Sequence, residues 1–453
     1  MDEILSVYDL LLTPIYVLVI FMLAYYYQKS KQLTHPEYKY FTSGLMVKIA
    51  GAIALGVVYN FYYETGDTNS YFQSGRAFSN LLGVNNENFI EGWLGNPGTK
   101  AYLFFNEETG FPGYMNRDAH TFFVVRLEIP IVMAGCKTYF PSAVLTATIC
   151  YSGIWKLYKV FHSIFPHLAK QLAFAILFVP SVVFWGSGIM KDSFTISGVG
   201  WFTYSFYNFF IQKKYSPLYL IQLLVAGFII VSIKPYIFFA ILPGTFIWLS
   251  NEKSSKVENK VLKLIFGPIM LVVGGIAGFF ILYGMSDYLG MYKIDSVLDR
   301  AVIVQKDMKA DYYKGNSFDI GEFDASVGGA TGKAPVAIFA GLFRPSIIDV
   351  KNPMMILSAL ENTFFLLLTI YLLFKLRIKG FLGAVRSNPI VLFSMLFSLF
   401  FAFSVGLSVS NFGSLVRLRI PEIPFFMASL FIIQDIYKRK KHSLKYNEPL
   451  VKN

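Results

Sequence analysis

An acidic residue at the end of an apolar run is the first candidate for chemistry. Asp67 stands in Tyr62-Tyr-Glu-Thr-Gly-Asp-Thr-Asn-Ser-Tyr71-Phe-Gln-Ser-Gly-Arg76. A free Asp, with a pKa near 3.9, is a weak base. It still accepts the proton of an attacking hydroxyl if it lies within hydrogen-bond reach. The blander role is structural: after the turn at Gly66, Asp67 is placed to cap a helix running through Arg76 to Leu82. Two further acids, Glu64 in the same segment and Asp192 in Trp185-Gly-Ser-Gly-Ile-Met-Lys-Asp192, are the partners that would orient an acceptor hydroxyl.

Five cations accompany these acids at the ends of apolar runs: Lys191, Lys234 in Ile233-Lys-Pro-Tyr236, Arg344 in Phe343-Arg-Pro345, and Arg417 and Arg419 in Val416-Arg-Leu-Arg-Ile-Pro421. A cation beside an apolar segment is costly without a partner. An anionic lipid phosphate at the membrane rim would supply one, and the planar fork of Arg suits it. Snorkelling of long side chains toward water is the competing explanation for any one of them. Glu361 lies inside an apolar run and is either functional or paired with a neighbouring helix. His120, which follows Arg117-Asp118, has no second His at a metal-ligand spacing, and the five His are too dispersed for zinc. Asp295, Asp299, Asp311, Asp319 and Asp324 make a late loop acidic enough to meet a cation or a sugar. Cys136 and Cys150 form no disulfide framework. No phosphate-binding loop, nucleophile elbow or paired-cysteine motif is present.

The elements that must position these residues follow from composition. Hydrophobic residues make up 55% of the 453, charged residues only 15%, and mean hydropathy is +0.51. A water-facing surface needs about 25% charge, so a disordered chain, a coiled coil and an ordinary soluble enzyme are excluded. The chain reads as one all-α polytopic membrane domain over residues 1–453. Eleven spans of about 20 apolar residues are expected at 8–27, 43–63, 139–158, 171–189, 194–212, 216–233, 235–250, 264–284, 353–374, 388–408 and 419–437. The stretch 121–136, with Arg126, Glu128 and Pro130, is expected to lie in the interface. No small-residue cleavage site follows the first run.

Basic clusters set the orientation: Lys29, Lys31 and Lys39; Lys156, Lys159 and Lys170; Lys213 and Lys214; Lys253, Lys256, Lys260 and Lys263; Lys375, Arg377, Lys379 and Arg386; and the tail, 438–453, with Lys438-Arg-Lys-Lys441. All six fall on the cytoplasmic side if the N-terminus is outside and the C-terminus inside. The net charge of +12 therefore reflects the positive-inside bias and not a nucleic-acid partner. Two long loops, about 64–138 and 285–352, then lie outside, and loops of that length are usually functional.

Taken together, the outer-face segments resemble the GT-C class of membrane glycosyltransferases, in particular the Rgt-like and protein-mannosyltransferase-like group. The resemblance rests on Gly66-Asp67-Thr-Asn-Ser-Tyr71 through Arg76-Ala77, the turn from Pro180 to Asp192, Ile233-Lys234-Pro235 and Arg417-Leu-Arg419-Ile-Pro421. It covers about residues 43–250, with a looser echo at 409–437. Thr68 and Asn69 follow Asp67 in place of a second acid, and Ala119-His-Thr-Phe-Phe123 replaces a His-Pro-Pro type segment. The chain is also similar to EpsG- and Wzy-type polysaccharide polymerases, whose outer-face Arg residues engage a lipid diphosphate.

The resemblance implies transfer of a sugar from a polyprenyl-phosphate carrier to a cell-surface glycan or lipid acceptor, at the outer face of the plasma (inner) membrane. Asp67 would be the base, Glu64 and Asp192 its helpers, and Lys191, Lys234, Arg344, Arg417 and Arg419 would stabilise the leaving phosphate. The second long loop would cover the site and exclude water. No metal ligands are assigned, and a divalent metal is compatible with the acids. Polymerisation of oligosaccharide repeat units, or transport of lipid-linked sugars, are the alternative expectations. The rim placement of the charges and the lack of an internal repeat disfavour transport.

Overall fold

The computed structural model describes residues 4–95, 99–114, 118–254, 297–308, 317–351 and 353–446. The span expected over 264–284 lies outside these residues, as do Lys256, Lys260, Lys263, Arg117, Asp295 and Asp311. In chain order the α-helices are α1 (Val7–Gln32), α2 (Phe41–Phe61), α3 (Asp67–Val84), α4 (Asn86–Leu94), α5 (Ala119–Ala134), α6 (Tyr139–Ile164), α7 (Ala169–Leu177), α8 (Pro180–Trp185), α9 (Lys191–Phe206) and α10 (Pro217–Ile233). They continue as α11 (Pro235–Ser254), α12 (Val297–Asp307), α13 (Val327–Gly332), α14 (Ala334–Phe343), α15 (Pro353–Arg386), α16 (Pro389–Ser408), α17 (Phe412–Leu418) and α18 (Ile423–Tyr446). Among the described residues there is no β-sheet, only an isolated bridge between Ser317 and Asn411.

The protein is an α-helical membrane protein. Among the described residues, four helical stretches are long and apolar enough to cross a bilayer, namely Val7–Gln32, Pro36–Phe61, Met355–Arg386 and Pro389–Ser408, and the bent pair α5–α6 makes a fifth when counted as one span. These match the expected spans at 8–27, 43–63, 353–374 and 388–408. The continuous helix expected over 171–189 is instead two short helices, α7 and α8, because Val179 is extended ahead of Pro180. Pro at i+1 disfavours helical backbone in the preceding residue, so the break is local in origin. The first long loop, about 64–138, is largely helical, carrying α3, α4 and α5. At residues 135–138 the chain turns through 115° between α5 and α6, with Cys136 and Lys137 at positive φ.

The chain divides into two compact units. The first holds 1–164, 177–206 and 216–234, and the second holds 165–176, 207–215 and 235–453. In the first, α6 packs on α9, α9 on α10, α3 on α5 and α2 on α6. Close approach of α6 and α9 depends on Gly153 and Gly200: a Cβ on Gly200 would lie 2.1 Å from the Gly153 carbonyl oxygen. Small residues permit this kind of helix contact in membranes, where dispersion replaces the hydrophobic drive. Asp9, in the first turn of α1, accepts from the Phe140 N–H at 2.7 Å and so satisfies an orphan donor at the start of α6. Glu128, fully buried on α5, accepts from the Thr146 hydroxyl of α6 at 3.0 Å.

In the second unit α14 packs on α16, α11 on α16, and α15 and α16 on α18. Gly341 and Gly406 bring α14 and α16 together, each within 2.3 Å of opposing backbone if given a Cβ. The helix starts are written in the sequence. Asn388-Pro389 opens α16, with Asn388 Oδ1 accepting from Ile390 N at 3.1 Å, and Asn411 Oδ1 caps α17 through Ser414 N at 3.1 Å. A kink at Arg377, φ 55°, interrupts α15.

Candidate functional site

The first unit gathers several of the sequence candidates around one aromatic ring. Gly66 has φ 148° and ψ −174°, and a Cβ there would lie 2.4 Å from Cε1 of Tyr59. Only glycine fits that backbone against that ring. Gly66 is therefore the N-cap residue of α3, and Asp67 is the first residue of the helix, not its cap. Its carboxylate gains from the helix dipole and accepts from the Tyr114 hydroxyl at 2.5 Å. Tyr114 is fixed in turn. Its ring meets Tyr71 edge-on at 5.0 Å, and its N–H donates to Ser74 Oγ at 3.0 Å. The segment 113–114 thus crosses the first two turns of α3 and holds Asp67 from the side. Glu64 is exposed and sits at φ 60°. Thr68 shares a 2.8 Å hydrogen bond with the Tyr139 hydroxyl. Asn69 is 3% exposed, and neither of its amide atoms has a protein partner among the described residues.

The turn that carries Lys191 and Asp192 reaches the same ring. Met190 packs with Leu55 and Tyr59, with Trp185 beside them. The Lys191 ammonium donates to Thr121 Oγ1 at 2.6 Å and lies 3.9 Å from Asp118 Oδ1. Asp118 is the N-cap of α5, accepting from Thr121 N at 2.8 Å. Its partial burial acts to raise its pKa, but the Lys191 charge and the Thr121 hydrogen bonds outweigh that and hold it below 3.8. Tyr114 therefore touches Asp67, while Asp118 and Thr121 touch Lys191.

Asp192 and Lys234 form a buried ion pair, their side chains 0% and 5% exposed. Beside it, His120 Nδ1 lies 2.9 Å from the Ser232 carbonyl. Lys234 thus has a carboxylate partner within the protein, and Asp192 an ammonium partner. Lys48, on α2, is a buried cation that the sequence reading passed over. Its ammonium donates to the Gly186 carbonyl and lies 3.4 Å from Ser187 Oγ, anchoring the turn before α9. Its signal was available, since it is the one charged residue of the run 43–63.

The second unit holds the arginines. Arg419 is 1% exposed, and its guanidinium donates to the carbonyls of Gly341 (3.3 Å), Leu342 (3.1 Å) and Arg344 (3.2 Å) and to Asn362 Oδ1. These are orphan carbonyls at the end of α14, so Arg419 caps a helix built elsewhere in the sequence. Arg344 makes a bidentate pair with Asp349, at 3.2 and 2.5 Å, and lies about equally over the rings of Phe318 and Phe412, 5.0 and 5.1 Å from their centroids. The Asp349 carboxyl is raised by burial but lowered more by Arg344 and Ser346, for a net pKa below 3.8. Phe318 N donates to Ser410 O at 2.8 Å, so part of the second long loop is fastened to the turn before α17. Arg417 is half-buried. Glu361 is buried on α15.

Among the described residues no group of three or more His, Cys, Asp or Glu could hold a metal ion. Comparison with models of protein families, with curated proteins and with solved structures finds no match to this chain.

Proposed function

We propose that the protein is a GT-C-like membrane glycosyltransferase with about eleven spans, N-terminus outside and C-terminus cytoplasmic, in the plasma membrane. It moves a sugar from a polyprenyl-phosphate donor to a cell-surface glycan or lipid acceptor. The observation that carries this reading is the Asp67 carboxylate, half-buried at the start of α3 and gripped by Tyr114, in the same unit as the Lys191 ammonium held by Thr121. An acid and a cation at one rim are the two charges that such a displacement needs.

In the reaction the acceptor oxygen attacks the anomeric carbon from the face opposite the phosphate. The new carbon–oxygen bond forms as the bond to the phosphate oxygen breaks, and the acceptor proton passes to Asp67. Tyr114 orients the carboxylate so that a lone pair faces the acceptor. Lys191 stabilises the negative charge that grows on the departing phosphate. Glu64, exposed beside Asp67, assists with the acceptor. The Asp192–Lys234 pair is neutral as a unit and serves to hold α9 to the end of α10. Arg344 and Arg419 are engaged within the fold, by Asp349 and by the carbonyls at the end of α14. No metal is required by this scheme.

The test is transfer of labelled sugar from membrane lipid to glycan, with Asp67→Asn compared with wild type at matched, folded, membrane-inserted protein. A positioned general base contributes about 10²–10⁴-fold, and a loss of that size is expected. Unchanged transfer would leave Asp67 as a helix-start residue and remove the reading.

A further inference from the structure

In the second unit a polar cavity opens between α12 and the segment that follows Gly321. Its volume is about 430 Å³, and it is lined by Val302, Gln305 and Lys306 on one side and by Glu322, Phe323 and Asp324 on the other. Residues three and four apart share a helix face, so Val302, Gln305 and Lys306 form one stripe of α12. Both walls are fixed. α12 packs on α16. The segment 317–326 is held at its start by the Phe318 N–H, which donates to the Ser410 carbonyl at 2.8 Å, and by the Phe318 ring, stacked on Phe412 with centroids 5.1 Å apart. It turns at Gly321, φ 81°, whose N–H donates to Asp319 Oδ1 at 2.8 Å, and it ends where Ser326 Oγ caps α13 through Gly329 N at 3.0 Å.

Gln305 is 2% exposed, and its Nε2 has no acceptor among the described residues. A buried donor left unpaired is costly, and such a group calls for a specific explanation. The Lys306 ammonium and the Glu322 and Asp324 carboxylates line the same space, yet no ion pair joins them among the described residues. These groups set what a ligand must offer. Gln305 Nε2 and the ammonium need acceptors, and the two carboxylates need donors. A metal ion brings no acceptor and would face the Lys306 charge, and no group of three or more His, Cys, Asp or Glu among the described residues could hold one. A phosphate or carboxylate brings no donor for the two acids. Hydroxyl groups are donor and acceptor at once. The Phe323 ring and Val302 add an apolar wall for the carbon face of a ring that bears such hydroxyls. The cavity also falls within the ~300–1,000 Å³ of small-molecule sites, where a few placed polar groups fix orientation against apolar walls.

We propose that this cavity binds a neutral pyranose unit of a glycan: Glu322 and Asp324 accept from its hydroxyls, Gln305 and Lys306 donate to them, and Phe323 meets its C–H face. The site is read from the second unit alone and involves binding only, so it does not depend on transfer at Asp67.

The experiment is saturation-transfer difference NMR of the full-length protein in lipid nanodiscs. The probes are the methyl pyranosides of glucose, galactose, mannose and N-acetylglucosamine, with empty nanodiscs as the control. At least one pyranoside should receive saturation from the protein. Glu322→Gln combined with Asp324→Asn should weaken its binding about tenfold or more, the size expected for hydrogen bonds to ionised acceptors. Both acids are exposed, so this double variant should keep the thermal stability of wild type. Gln305→Leu should weaken binding of the same sugar, and should it fail to fold, the double variant carries the test alone. Absence of saturation in all four sugars would overturn the proposal, and so would binding that survives the double variant. Saturation of glycine or phosphoethanolamine in place of the sugars, lost in the double variant, would also overturn it, because the cavity would then be a site for a zwitterion.

Discussion

Removing the ammonium of Lys234 while Asp192 remains is the perturbation with the most decisive outcome. The two side chains are 5% and 0% exposed and bonded to each other. Lys234→Met fills most of the lysine volume but leaves a carboxylate in the interior. Breaking a buried pair by removing one partner costs about 3–5 kcal/mol, which is roughly two to nearly four powers of ten in the folding equilibrium. Replacing both partners with apolar residues is often neutral or better, so Asp192→Leu with Lys234→Met should recover most of the loss. The assay is denaturant unfolding in detergent micelles, followed by tryptophan fluorescence, for wild type, both single variants and the double variant. Transfer activity on the same samples separates two roles. If the pair is scaffold, the double variant keeps transfer within about threefold once folding is restored, less than the tenfold change that about 1.4 kcal/mol would produce. If Lys234 contacts the phosphate of the donor, the double variant folds but does not transfer. A cost below about 1 kcal/mol for Lys234→Met, the range of exposed pairs, would refute the buried-pair reasoning altogether.

Three further outcomes are expected. Gly66→Ala should destabilise by about 1–3 kcal/mol from backbone strain alone, with more added by the Tyr59 contact. Unfolding measurements on the variant alone and combined with Tyr59→Ala will separate the two, since the second change relieves only the contact. Asp118 has a folded pKa below its usual 3.8, so its contribution is fully present above about pH 4 and is lost as pH falls through the depressed value. Thermal stability of wild type should therefore drop more steeply below about pH 4 than that of Asp118→Asn, and equal slopes would show the Lys191 contact to be weak. Arg419→Lys keeps the charge but not the fork and leaves carbonyls at the end of α14 without donors. A loss of about 2 kcal/mol or more in denaturant unfolding is expected, and a neutral result would mean that water replaces the missing bonds.

Much of this molecule was legible in its residues, and the limits have identifiable causes. Apolar length placed α1, α2, α15 and α16, since about 20 apolar residues are enough to specify a span without reference to any neighbour. Asp67, Lys191, Asp192, Lys234, Arg344 and Arg419 stood out because charge beside apolar sequence is costly wherever the chain goes. Their partners did not stand out. Tyr114 and Asp67 are 47 residues apart and Arg419 and Gly341 are 78 apart, and no local pattern announces such pairs.

Residue type and hydropathy therefore determined the helical membrane character, the positions of the most apolar helices and the short list of groups able to do chemistry, because these depend on each segment's own transfer energy and backbone preferences. Tertiary structure alone decided which charges neutralise one another, as Lys234 does Asp192. It also decided which serve the fold, as Arg419 does α14, and which distant side chain meets Asp67, as Tyr114 does. Those outcomes turn on distances of a few ångströms between segments far apart in the chain, where the energy of a charge is set by what is packed against it.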